Sequence, residues 1–89
     1  MKPFNAGATL THASAKAALA AGLAQIDAGA TAVDCAALAQ FDSSALAVLL
    51  AWQRAARARG VSLDVIHLPP KLASLAQAYG IDTLLSERH

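Results

Sequence analysis

Short apolar segments alternate along the chain with longer segments in which apolar residues recur every three or four positions. Three segments rich in branched apolar residues are predicted to be strands: Ala8–His12, Thr31–Cys35 and Val61–Leu68. Three segments with helical spacing are predicted to be helices: Ala15–Ala28, Ser43 or Ser44 to Arg59, and Lys71–Tyr79. Because strands that alternate with helices need crossover connections, we predict an α/β fold with a small, mainly parallel sheet and helices mostly on one face.

The residues between these segments set their boundaries. Ser14 is predicted to cap the first helix, and Pro70 suits the first turn of the third. Three glycines are expected to end the helices: Gly29, Gly60 and Gly80. Met1–Gly7 has an irregular composition, so only one strand is expected before the first helix.

The last part of the chain adds one short apolar segment. Ile81, Leu84 and Leu85 predict a short strand or turn, and residues 86–89 are expected to fray.

The second helix has two different faces. On a helical wheel the predicted core face consists of Ala45, Val48, Leu49, Trp52, Ala55 and Ala56. The opposite side carries Leu46, Leu50, Gln53, Arg54 and Arg57. Leucines beside arginines suggest an exposed mixed patch, which on a small domain often marks a partner surface. The alternative is that a neighbouring loop covers the leucines.

Composition excludes several classes of protein. The 89 residues are enough for one domain, and the net charge of +1 gives no electrostatic footprint for nucleic acid. Cys35, the single cysteine, cannot form an internal disulfide and is expected to be a buried, inert thiol. No charged start precedes an apolar run, and no segment has the length of a membrane span. We therefore expect a cytoplasmic protein that does not insert into a membrane.

Three polar residues, Asp42, Ser43 and Ser44, stand where the second helix begins. Their oxygens can cap the free amides of the first turn, and a kinase or a binding partner could also use the hydroxyls. Asp34, near the end of the second predicted strand, is expected to accept hydrogen bonds from loop amides rather than simply to face water.

Candidates for catalysis and metal binding are weak. His12, His67 and His89 have no carboxylate at ligand spacing, so no metal site and no cofactor is expected. A serine nucleophile would need a nearby base, and neither His12 nor His67 is placed by the sequence to serve. We therefore expect a protein that is not an enzyme.

Two features of the chain carry a resemblance to a known family: the spacing of Asp34 and Asp42, and the segment from Phe41 to Gly60, which matches the family pattern without a gap. In these features the chain resembles the STAS domain family, which has the fold of the anti-sigma factor antagonists. The family pattern is an apolar strand with an Asp or Asn, then eight residues later an Asp followed by two hydroxyls and a glycine. Here Ala45 replaces that glycine. The last predicted helix also matches, so the resemblance covers roughly residues 8–85. Members of the family usually have two strands before the first helix, whereas one is expected here. This shortened N-terminal strand region would leave an open sheet edge that a partner could cover.

This resemblance implies that the chain binds another protein. Two hypotheses follow, and they differ in which serine is the functional residue. In the first, the chain is like the small STAS subunits of phospholipid-transport ABC complexes, which maintain outer-membrane lipid asymmetry. Ser43 then meets the ATPase subunit, with Asp42 beside it and the patch of Leu46, Leu50, Arg54 and Arg57 around it. In the second, the chain is an anti-sigma factor antagonist, its partner is an anti-sigma factor kinase, and Ser44 is the phosphoacceptor.

Overall fold

A computed structural model describes residues 3–81 as three helices and five very short strands. In chain order these are β1 (Pro3–Asn5), β2 (Thr9–Leu10), α1 (Ala15–Asp27), β3 (Ala32–Asp34), β4 (Gln40–Phe41), α2 (Ser44–Ala58), β5 (Asp64–Ile66) and α3 (Pro70–Ala78). The α/β prediction is confirmed, and the three helices begin and end within two residues of their predicted boundaries.

Every strand pairing in this part of the chain is parallel. One sheet has the order β1-β3-β5, and β2 and β4 form a second, two-stranded sheet. The crossover from β1 to β3 contains α1, and the crossover from β3 to β5 contains α2. Both crossovers run in the same direction across the sheet, so right-handed connections put α1 and α2 on the same face.

The N-terminal region differs from the prediction. Two strands, not one, precede α1, because Pro3–Asn5 pairs with Ala32–Asp34. The predicted connection after β3 also contains a strand, since Gln40–Phe41 pairs with Thr9–Leu10. The strand region is nevertheless short, with three and two residues before α1. Leu84, Leu85 and residues 86–89 lie outside the described residues.

The core lies between the strands and α2. The largest fully buried side chains are Trp52, Leu10, Leu49, Leu72, Val33, Val65 and Cys35. The Trp52 ring packs edge to face against the Phe4 ring, with 5.2 Å between the ring centroids. Its Nε1–H donates a hydrogen bond to the Leu19 carbonyl at 3.1 Å. The indole lies directly against Gly22, so this glycine lets α2 approach α1 closely. The predicted core face of α2 is confirmed, with Ala55 half-buried at its margin.

The opposite side of α2 is only in part the exposed mixed patch that the helical wheel suggests: Arg54 and Arg57 are exposed, but Leu46 is covered, as the alternative of a neighbouring loop over the leucines predicts. Leu46 is only 3 % exposed and belongs to the core, and Leu50 is half-buried against it. The chain that leads into β5 runs along this side, where Gln53 Nε2 donates to the Leu63 carbonyl at 3.4 Å. A helical wheel assumes that only one face of the helix is buried, so it cannot show that the segment before β5 also covers the opposite side of α2.

Two large apolar side chains outside α2 are exposed. Leu23 on α1 is 38 % exposed, and Tyr79 at the end of α3 is 60 % exposed. The three glycines after the helices all have positive φ angles, which confirms their predicted role. No helix within residues 3–81 is long and apolar enough to cross a membrane.

Candidate functional site

Asp42 fixes the start of α2 and ties it to the segment between β2 and α1. Its Oδ1 accepts a hydrogen bond from the Ser44 N–H at 2.8 Å, and its Oδ2 accepts one from the His12 N–H at 3.0 Å. Both bonds favour the ionised carboxylate and lower the pKa of Asp42, the His12 amide having the larger effect. The two serines that follow are therefore held on a fixed backbone.

The capping prediction is confirmed for Asp42 but not for the serine hydroxyls. Ser43 occupies the N-cap position of α2, yet its side chain makes no capping hydrogen bond and is exposed. Ser44 is half-buried. Ser14 likewise does not cap the first turn of α1, because its Oγ accepts from the Thr11 N–H at 2.9 Å.

A second carboxylate is organised at the end of β3. Asp34 Oδ1 accepts the Ala36 N–H at 2.9 Å and lies 3.1 Å from His67 Nδ1. The Ala36 amide, and then the imidazole, lower the pKa of Asp34. The prediction that Asp34 binds loop amides is confirmed. His67 follows β5 in a left-handed conformation with φ 57°, which is uncommon for residues other than glycine, although histidine, asparagine and aspartate adopt it more often than other side chains.

No local sequence pattern indicates that His12 and His67 lie beside these carboxylates. His12 approaches Asp42 through its backbone amide, and His67 approaches Asp34 through its ring. The usable signal is topological: Asp34 is the last residue of β3, the other three residues follow strands, and the carboxyl ends of paired parallel strands meet at one edge.

The remaining predicted partner-binding residues fall into two groups. Arg54 and Arg57 are exposed on α2, whereas Leu46 is buried and cannot contact a partner without unfolding. Leu50 offers only part of its side chain. Arg59, by contrast, forms an ion pair with Asp27 of α1. The exposed side of α2 is therefore more polar than the patch that the sequence predicts.

A groove of about 340 Å³ lies beside the serines, between the first turns of α1 and α2. It is lined by Ala15, Lys16, Leu19, Ser44, Ala47 and Val48. Ala45, at the family's glycine position, is fully buried and does not obstruct the surface beside Ser43.

The described residues offer little for catalysis. Within residues 3–81, no group of three or more His, Cys, Asp or Glu side chains could hold a metal ion. No hydrogen bond described there joins the His12 ring to Ser43 or Ser44, and Cys35 is buried in the core. What the site does offer is a rigid, exposed hydroxyl at a helix start, which suits recognition by another protein.

This arrangement can be compared with known families. A family model described as "Mlab, STAS domain" matches residues 5–86, almost the whole chain. The chain belongs to the STAS domain family. The match confirms that it is most like MlaB, and STAS domains are in general non-catalytic interaction domains. No curated protein and no solved structure gave a significant match.

Proposed function

We propose that this STAS domain is the non-catalytic subunit that binds and supports the ATPase of an ABC phospholipid-transport complex maintaining outer-membrane lipid asymmetry. The observation that carries the proposal is the MlaB-like family match over residues 5–86. On this proposal the protein acts in the cytoplasm, at the inner-membrane face, through its complex.

Ser43 is the centre of the proposed contact. It is exposed, its hydroxyl is not used for capping, and its backbone is fixed by the two hydrogen bonds of Asp42 next to it. A hydroxyl in that position can donate to and accept from a partner without losing an internal hydrogen bond. Arg54 and Arg57, further along the same helix, would add attraction for acidic groups, with Leu50 as a partly buried contributor.

Replacing Ser43 tests this proposal. We expect Ser43→Arg to abolish co-purification with the ATPase subunit from the native cell in mild detergent, because a long cation cannot fit a small central contact. Ser43→Thr keeps the hydroxyl and should retain binding. Ser74→Arg, at an exposed position of α3, is the matched control. If Ser43→Arg keeps both binding and ATPase activity, the proposed contact is wrong.

The anti-sigma factor antagonist hypothesis uses Ser44 instead. Ser44 is half-buried and its N–H is bonded to Asp42, whereas Ser43 is exposed. These features favour Ser43 as the residue that meets a partner. Incubation with a cognate anti-sigma factor kinase and ATP separates the hypotheses, since an unchanged protein mass contradicts phosphorylation of Ser44.

A further inference from the structure

The groove between α1 and α2 combines apolar walls with one cation. Ala15, Leu19, Ala47 and Val48 contribute aliphatic surface, and Lys16 is exposed at its edge. Within residues 3–81, Lys16 has no carboxylate within ion-pair distance. The groove can therefore accommodate an apolar side chain and pair with a carboxylate at the same time.

The cations on α1 and α2 differ from the aspartates in how they are paired among the described residues. Asp27 is paired with Arg59, Asp34 contacts His67, and Asp42 accepts two backbone N–H groups. These carboxylates are engaged within the chain, whereas Lys16, Arg54 and Arg57 are exposed and form no ion pair among the described residues. A protein that docks on α1 and α2 meets free cations.

From this combination we infer that the groove receives an apolar side chain of the ATPase subunit, with a neighbouring aspartate or glutamate of that subunit paired to Lys16. The inference rests on the proposed function and names the chemistry of the partner segment. Ala47 connects the groove to the rest of the proposed contact, because it lies one turn after Ser43 on α2 and is exposed. The two contacts together form one continuous surface.

Two substitutions in the groove test the inference against purified ATPase subunit. We expect Lys16→Glu to weaken binding at least about tenfold, because it places like charges opposite each other. Ala47→Phe should weaken binding to a similar extent by filling the groove. Lys71→Glu, the same charge reversal at an exposed position of α3, should leave the dissociation constant within about twofold. Circular dichroism of each variant checks that the fold is intact.

Zero-length carbodiimide cross-linking of the wild-type complex identifies the partner group directly. We expect an amide bond between Lys16 Nζ and an aspartate or glutamate of the ATPase subunit, located by mass spectrometry. Full binding by Lys16→Glu, or cross-links only at other lysines, overturns the inference.

The experiments distinguish an error in the proposed function from an error in the groove inference. If the wild-type protein does not bind the ATPase subunit at all, both the proposed function and the groove inference are wrong. If it binds and Ser43→Arg abolishes binding while Lys16→Glu and Ala47→Phe do not, only the groove inference is wrong.

Discussion

Gly22 shows how one residue determines the distance between two helices. A β-carbon at this position would lie 2.1 Å from Trp52 Cε2, far inside van der Waals contact. The indole cannot retreat easily, because its Nε1–H is bonded to the Leu19 carbonyl and its ring packs against Phe4. The lack of a side chain at Gly22 is therefore a packing requirement, although glycine disfavours the helix itself.

We expect Gly22→Ala to lower the free energy of unfolding by about 1–2 kcal/mol, because overpacking outweighs the gain in helix propensity. Urea unfolding, followed by the fluorescence of Trp52, the single tryptophan, measures this change. Ala20→Gly, at an exposed position of α1, is the control and should also destabilise, by about 1 kcal/mol. Stabilisation by Gly22→Ala would contradict the close packing.

His67 carries backbone strain at the end of β5. Its φ of 57° is unfavourable for most side chains and worst for β-branched ones. We expect His67→Val to lower the free energy of unfolding by about 1–2 kcal/mol. His67→Asn removes the same ring contact with Asp34 but tolerates the conformation, so it should be the milder change. Equal urea midpoints for the valine and asparagine variants would exclude strain as the cause.

At the scale of the elements, Asp42 joins two connections that are distant in the sequence. It caps α2 through the Ser44 amide and holds the β2–α1 connection through the His12 amide. Both partners bind the charged carboxylate, so the pKa of Asp42 is lower in the folded than in the unfolded chain. The stabilisation is complete above the unfolded pKa of about 3.9 and is lost as the pH falls through the lower folded value.

We expect Asp42→Asn to lower the urea midpoint at neutral pH, because the amide oxygen can accept only one of the two hydrogen bonds well. The difference from the wild type should shrink as the pH falls below about 3.9, where the wild-type carboxyl also becomes neutral. Asp64→Asn, on β5, serves as the matched variant and has no such pair of bonds described. A difference that stays constant with pH would contradict this origin.

The elements also show what sequence patterns can and cannot predict here. The helices were predictable because Gly29, Gly60, Gly80 and Pro70 mark their ends. The strands β1 and β4 were missed because three and two residues are too few for an alternating pattern, and they form only through distant pairing. Leu46 was misassigned for a related reason, since its burial depends on which segment packs on the second side of α2.

The candidate site was predictable in its residues but not in its connections. Asp42, Ser43 and Ser44 stand out from the sequence because a helix start after a buried strand needs polar groups. The backbone geometry determines which side-chain oxygen caps the helix. In this structure the capping oxygen belongs to Asp42 and not to either serine. The contacts of His12 and His67 arise from strand order, which no local pattern contains.

On the scale of the whole molecule, the charge that a partner meets depends more on which charged side chains are paired within the fold than on the net charge. The chain has a net charge of only +1, yet within residues 3–81 three aspartates have partners in the fold while Lys16, Arg54 and Arg57 form no ion pair. A nearly neutral protein can therefore offer individual unpaired cations to the acidic groups of one partner.

The all-parallel pairing has a consequence for how the protein is made. Each pairing joins strands roughly thirty residues apart, and a complete helix lies between the two partners. No hairpin can form early within the described strands, and the three-stranded sheet waits for β5, in the last third of the chain. While the ribosome still holds that segment, α1 and α2 can form but β3 lacks one of its neighbours. The three-stranded sheet is thus completed only after β5 has left the ribosome, and until then β3 has an exposed edge that chaperones can bind.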